Sequence, residues 1–393
     1  MMHRSILLIT SFLLGILIHA QQISGKITDE NGAPISGVNV YIDGSQIFTQ
    51  SDGEGNYVLN ANGQSQGQVV FQKEGYEDFI QSVAKLIENR QTIQLFKYSE
   101  IEEIVIIPYT DKAYRDFINY FLETFIGSDQ KNVKIKNVKT LKFAFDKEKQ
   151  LLKVKAPEVL QIQNKNLGYD IQYKLLKYES DFRNKTIVYL GTSFFKSTSD
   201  KNKIKLNRLH AYYGSFQHFI RTIYQGNLDK EGFVVNHIRK IPNPKYPSAE
   251  ELQKLQDYYD FIKKGGSAIS INLPDDLREI SQRKSKESET LMAVVKTQIP
   301  VQDFVVSEGG KKFLQFDDIL QVVYHKFPYE LKGGGIVKSA QQLNVSSFLY
   351  LDGNSFEIDA EGNTSDPANL MVDGYFSRMK LEQLLPSDFR VEK

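Results

Sequence analysis

The densest collection of groups that could do chemistry is RLHAYYGSFQHFIR, residues 208–221, which gathers Arg208, His210, His218 and Arg221 around Tyr212 and Tyr213. On a helix His218 and Arg221 stand three residues apart and share a face. Guanidinium forks and imidazoles are suited to receiving carboxylates, so these four residues are the candidate site for a carboxylate or sugar-acid group. The competing reading is structural: Arg221 pairs with a local Asp or Glu, and His218 caps a buried edge.

Other chemistries lack their residues. A zinc peptidase needs two imidazoles and a carboxylate on the metal, plus a carboxylate base. His210, His218, His237 and His325 open HAYY, HFIR, HIRK and HKFP, so none belongs to H-x-x-E or H-E-x-x-H. The chain has no Cys, which removes disulfides, thiolate ligands, a Cys nucleophile and lipoprotein acylation. GQSQG at 63–67 matches G-x-S-x-G, but it stands among the Gly, Asn and Gln turn residues between short alternating runs and not at a strand-to-helix elbow; GSF at 214, whose Ser reads as a helix cap, and GGSAI at 265 do not complete the pattern. Neither G-x-x-x-x-G-K-[ST] nor G-x-G-x-x-G occurs. No catalytic residue, metal ligand or cofactor is therefore assigned. Asp29, Asp52 and Glu54 offer hard oxygens in TDENG and SDGEGN, but the EF-hand order is not met and both strings read as turns. Two carboxylates brought together by the fold could still do acid and base work, which keeps an exported hydrolase as the alternative.

The elements that must position these groups follow an apolar leader. His3 and Arg4 precede an apolar run from Ile6 to Ile18 that ends at Ala20, the order of a secretory signal with cleavage after Ala20. An uncleaved N-terminal anchor is the other reading, and the run is short for one. No later stretch reaches the ~20 apolar residues of a helical span. With 49 basic and 48 acidic residues the net charge is +1, so no basic field exists to hold nucleic acid.

From Ile23 to Tyr98 short alternating runs are separated by Gly, Asn and Asp turns, the pattern of a β-sandwich. In one strand Val38, Val40 and Ile42 are expected on the core face, with Asn39 and Tyr41 on the other. The spacing of Gly25, Asp29, Gly32, Pro34, Gly37, Val40, Asp52, Gly55 and Tyr57 resembles the carboxypeptidase regulatory-like module found ahead of TonB-dependent outer-membrane receptors in Bacteroidetes. Ser51 departs from it, where the family more often has Thr. The resemblance implies a transthyretin-like β-sandwich over 21–98 with no catalytic residues of its own.

Residues 99–130 read as a linker strand, including Ile101 and Ile104 to Ile107, and an amphipathic helix with Ala113, Phe117, Tyr120, Phe121 and Phe125 at helical spacing and Gly127 as stop. Residues 131–393 read as a larger β-rich, α+β domain with two docked helices. One runs from Ser215 to Gln225; the other, from Ser248 to Lys264, opens on the Ser248/Glu251 capping box and closes at Gly265. SQRKSKESET, 281–290, reads as an exposed loop or hinge. The blocks EVLQIQNKNLGYDIQYKLLKYE, YLGTSFF, YYGSFQHFIRTIYQGNLDKEGFVV and GYFSRMKLEQLLPSDF resemble the region that accompanies this module in many exported Bacteroidetes proteins. That resemblance brings an envelope setting and no activity.

The sequence thus leads to a mainly β, non-enzymatic envelope protein, periplasmic, outer-membrane-associated or at the cell surface. Its role would be binding or assembly, with an envelope or outer-membrane protein as partner. A glycan-binding protein is a further alternative, motivated by 21 Tyr as stacking platforms but weakened by the absence of Trp. N-terminal sequencing of the chain from an envelope fraction is expected to start at Gln21 or within a few residues of it. An intact Met1 in the cytoplasm would refute export.

Overall fold

We describe the fold from a computed structural model, in which the described residues are 22–391 except 63, 65, 89, 99–106, 265–272, 327, 340, 354 and 364–368. The leader, the linker strand before Ile107 and the helix stop at Gly265 lie outside them. Strands dominate, as the alternation predicts.

The N-terminal module is a sandwich of two sheets. One orders β4 (Asn56–Asn60), β1 (Gln22–Thr28) and β7 (Thr92–Gln94); the other orders β3 (Phe48–Gln50), β2 (Asn39–Ile42), β5 (Gln68–Gln72) and β6 (Phe79–Ser82). Ile23, Ile27, Val40, Ile42, Leu59 and Phe71 fill the space between them, and the short helix α1 (Val83–Glu88) adds Val83 and Leu86. Two motif glycines are set by close approach. A Cβ on Gly25 would lie 2.3 Å from the Gln91 carbonyl oxygen and 2.9 Å from the Tyr57 ring, and one on Gly55, at φ +79°, would lie 2.5 Å from that of Ile27. Asp29 and Asp52 each use Oδ1 to accept two backbone N–H groups, from Asn31 and Ala33 and from Glu54 and Asn56, which is Asx-turn chemistry.

The span 131–393, expected as one β-rich unit, carries two main cores. In the first, a sheet ordered β8 (Val133–Ile135), β11 (Leu160–Asn164), β12 (Tyr169–Asp181), β10 (Leu151–Lys155) and β9 (Lys142–Asp146) is extended by β13 (Thr186–Ser197) paired to β12. Helix α2 (Asp111–Phe125) lies on it, capped by the Thr110 hydroxyl accepting from Ala113 N–H. Its Phe121 and Phe125 meet Phe143, Tyr173, Tyr178 and Tyr189 at centroid distances of 4.9–5.7 Å. The helix docks its aromatic stripe on this sheet, as the helical spacing of Ala113, Phe117, Tyr120, Phe121 and Phe125 predicts. Helix α3 (Asn202–Tyr212), which has no strong apolar stripe to announce it, follows β13.

The second core joins helix α4 (Phe216–Gln225) to a five-stranded sheet: β15 (Thr290–Lys296), β14 (Phe233–Pro242), β18 (Ile319–Lys326), β21 (Leu343–Leu351) and β23 (Leu370–Gly374). Ser215 caps α4 by accepting from His218 N–H, and Gly226 ends it in the left-handed region at φ +70°. A second, three-stranded sheet orders β16 (Val305–Glu308), β17 (Lys311–Leu314) and β22 (Phe356–Ile358), and β19 (Tyr329–Lys332) pairs with β20 (Gly335–Lys338).

Between β14 and β15 the chain makes a helical hairpin, α5 (Ala249–Lys264) and α6 (Asp275–Lys286), with its own small core of Leu255, Leu277 and Ile280. The Ser248/Glu251 capping box closes reciprocally, at 2.8 and 3.2 Å. Residues 281–286, expected as loop, are helix. Only Leu277 and Ile280 are buried on α6, too short a stripe to stand out in sequence, and Arg283 bridges to Glu251. The short helix α7 (Tyr375–Arg378) follows β23.

The module docks through the turn after β2. Gly44 N–H donates to Ser193 O at 2.7 Å, Phe195 N–H to Ser45 O at 2.8 Å, Ser193 N–H to Asp43 Oδ1 at 2.7 Å, and Ser387 N–H to Gly44 O at 2.6 Å. Tyr41, expected on a half-exposed face, is buried against Phe194, and its hydroxyl meets Thr192 Oγ1 at 3.1 Å. Both faces of β2 are thus covered, one by the sandwich core and one by β13.

Burial raises the Asp43 carboxyl from its ordinary value to about 6, against stabilising hydrogen bonds from Ser193 and Gly44 N–H. A carboxyl whose pKa is higher folded than unfolded binds its proton more tightly in the folded state. Its contribution to stability therefore grows as pH falls through about 6 and is absent above it. Lowering pH from 7.5 to 5.5 should raise the melting temperature more in the parent chain than in Asp43→Asn. Equal slopes in the two proteins would show that Asp43 does not titrate in this window.

Candidate functional site

Arg208 ends α3's polar contacts in the protein, not in a cavity. Its Nε donates to Leu167 O at 2.8 Å, Nη1 to Asp200 Oδ1 at 2.8 Å, and Nη2 to Ser199 O at 3.0 Å and Ser197 Oγ at 3.1 Å. The guanidinium lies 4.2 Å from the centre of the Tyr169 ring. His210, also on α3, sets Nε2 at 2.6 Å from Tyr329 O, tying this helix to the β19–β20 hairpin.

On α4, His218 is 2% exposed and boxed by Tyr212, Phe233, Tyr213 and Tyr324 at centroid distances of 4.8–5.5 Å. Gly214 N–H donates to its Nδ1 at 3.2 Å. That hydrogen bond leaves Nε2 as the protonated nitrogen of a neutral ring, donating to Glu231 Oε2 at 3.3 Å. Arg221 is 4% exposed and fans out to three backbone carbonyls: Nε to Glu361 O at 2.9 Å, Nη1 to Phe389 O at 2.9 Å and Nη2 to Ser387 O at 2.5 Å. Glu361 adds a carboxylate oxygen 4.0 Å away.

The four residues expected to receive an anion therefore do not converge on a ligand. Each holds a different piece of backbone or an acidic neighbour. The correction has a plain physical reason: a desolvated guanidinium must find acceptors, and the carbonyls of segments that fold onto it are nearer than any solute.

A second constellation, not foreseen from the sequence, lies at the β14–β18 end of the second core. His237 Nε2 is 2.9 Å from Asp318 Oδ2, which also accepts from Arg239 Nε at 2.8 Å; Lys296 Nζ lies 2.6 Å from Asp303 Oδ2. Beside them a cleft of about 340 Å³ is lined by His237, Lys296, Asp303, Phe316 and Asp317, with Ile299 and Leu320. None of Arg208, His210, His218 and Arg221 lines it. The only sequence signal was the Asp317-Asp318 pair ahead of β18, about eighty positions from His237 and unreadable without the pairing of β14 with β18.

Beside the cleft, Arg239 and then His237 hold the Asp318 carboxyl below its ordinary value. The carboxyls that burial raises, Asp43, Asp359 and Asp388, face the junctions of the fold instead. Two cations, Arg239 and Lys296, share the cleft region and oppose a metal ion there. Among the described residues no group of three or more His, Asp or Glu is placed to hold a metal.

Six of the 21 tyrosines, Tyr41, Tyr57, Tyr169, Tyr173, Tyr178 and Tyr324, are buried, and Tyr98 and Tyr259 are exposed. Burial raises the hydroxyls of Tyr57 and Tyr169 to about 12 and pushes those of the other four buried rings higher still. Exposed apolar surface collects instead on β15, where Leu291, Met292, Val294 and Val295 stand in solvent.

Residues 23–106 match the family model of the CarboxypepD_reg-like domain, which makes this part of the chain a regulatory-like module of binding type. No curated protein matches the chain. Among solved structures, a protein from Bacteroides fragilis NCTC 9343, described as membrane-associated and of unknown function, aligns over 83% of this chain and 96% of its own at 11% identity with a TM-score of 0.15. A likeness at that score carries no argument.

Replacing Arg221 by Met should lower stability in urea by at least about 3 kcal/mol, because three buried carbonyls lose a charged donor. Arg221→Lys should recover only part of it, since an ammonium cannot fan out to three separate acceptors. A loss below about 1 kcal/mol in Arg221→Met would mean that the carbonyls find other donors.

Proposed function

We propose that this protein is a non-enzymatic binding or assembly component of a bacterial envelope, acting on the periplasmic side of the outer membrane. One observation carries the reading: the four expected site residues, Arg208, His210, His218 and Arg221, are spent on backbone, acidic neighbours and aromatic packing, while an apolar edge strand, without charge from Thr290 to Val295, is left open to solvent. The envelope setting is supported by the signal-like order of His3, Arg4, the apolar run Ile6 to Ile18 and Ala20, and by the resemblance of the N-terminal module to those ahead of outer-membrane receptors. Among the described residues no helix is long and apolar enough to cross a membrane, which says nothing of β-barrels. The module serves in this reading as a docked unit that orients the rest of the chain.

The hydrolase alternative places its chemistry in the cleft of His237, Asp303 and Asp317. The low-lying Asp318 carboxyl and the flanking Arg239 and Lys296 count against it. Purified residues 21–393 should hydrolyse neither peptides nor glycosides and should carry no stoichiometric zinc. A chelator-sensitive release of C-terminal residues lost in His210→Ala or His237→Ala, or a glycosidase activity lost in Asp317→Asn, would overturn the proposal.

A further inference from the structure

We infer that β15 pairs antiparallel with the same strand of a second copy of this chain, joining two five-stranded sheets across a twofold axis. The inference names a partner for the binding surface of the preceding section and stands on separate observations.

β15 is the outer strand of its sheet, paired on one side with β14. Among the described residues no strand pairs with its other side. β14 runs with β18 only from Phe233 to Ile238, whereas Arg239 to Pro242 pair with β15 alone, so the Thr290–Ala293 end stands in a two-stranded ribbon. Both faces of that ribbon meet water. Leu291 is 44% exposed, Met292 47% and Val294 58%.

Natural edge strands are kept apart by charge, Pro, bulges or shortness. From Thr290 to Val295 this one has neither charge nor Pro, and its single irregularity is a bulge at Val295, where His237 pairs with Lys296 and Ile238 with Val294. The regular stretch is therefore Thr290–Val294, with Met292 at its centre.

A twofold axis through Met292 sets Thr290 opposite Val294 and Leu291 opposite Ala293, with Met292 against its own copy. No cross-strand pair then buries a charge or sets like charges together. The flanks carry opposite charges: Glu287 and Glu289 precede the strand at one end, and Lys296, which also bonds Asp303, follows the bulge at the other, so the antiparallel pairing brings the ends of opposite sign together. Such a pairing is isologous, so it closes as a dimer and does not run on into fibres. Two short strands make a small interface, so the dimer is expected to be weak and concentration-dependent.

The absence of native Cys makes a direct test available. Light scattering on purified residues 21–393 should show a concentration-dependent dimer. Val294→Lys should weaken it at least tenfold without changing the melting temperature. Met292→Cys should be captured as a dimer by a short thiol crosslinker, whereas Val58→Cys, equally exposed on the N-terminal module, should not. A monomer throughout the micromolar range, a dimer indifferent to Val294→Lys, or equal crosslinking at position 58 would overturn the inference. So would capture of a different envelope protein by Met292→Cys in place of its own copy. Any of these outcomes leaves the non-enzymatic reading standing, and a hydrolytic activity would remove that reading without touching the dimer.

Discussion

Arg221 cannot stay charged at 4% exposure unless acceptors surround it, and the acceptors it finds are carbonyls of Glu361, Ser387 and Phe389. This requirement fixes the course of the C-terminal segment. Once held, residues 381–389 touch all three main units: Leu381 and Leu385 enter the first core, Ser387 N–H reaches Gly44 O in the module, and Arg221 itself belongs to the second core's helix. Asp388 completes the junction by accepting from Gln46 N–H at 3.0 Å. The chain's last residues are thus the common contact of parts far apart in sequence.

The same junction explains where the titrating carboxyls sit. Asp43, Asp359 and Asp388 are held by backbone N–H groups but lose more to burial than those bonds return, so all three are raised. Exposed turn acids such as Asp52 have the hydrogen bonds without the burial, and shift down. Acid residues of one chemical type therefore do opposite things with pH, according to whether a second unit covers them. Burial where the units pack together is the cause of the raised values.

The edge of the second sheet obeys a different constraint. A ribbon that leaves its sheet to carry the α5–α6 hairpin cannot be covered by the core it departs from, so its apolar side chains must meet water or another chain. Beyond Ile238, among the described residues, only β14 supports β15, and the hairpin's own core there consists of the buried Leu255, Leu277 and Ile280.

Short-range physics made much of this protein legible in its sequence. Turn acids at 29 and 52, the Ser215 and Gly226 ends of one helix, the Ser248/Glu251 box of another, and most strands could be read because caps, Asx-turns and alternation act within a few residues. The module's sandwich was legible in its alternating runs and turn clusters and in the family resemblance they carry. Tertiary structure decided what sequence did not show: that Tyr41 is covered on its outer face and that 281–286 is helical. It also decided that Arg208, His210, His218 and Arg221 hold backbone and that His237 meets Asp318. These outcomes depend on which distant segments supply the carbonyls, carboxylates and apolar faces, and a one-dimensional pattern carries no record of partners 80 to 170 positions away.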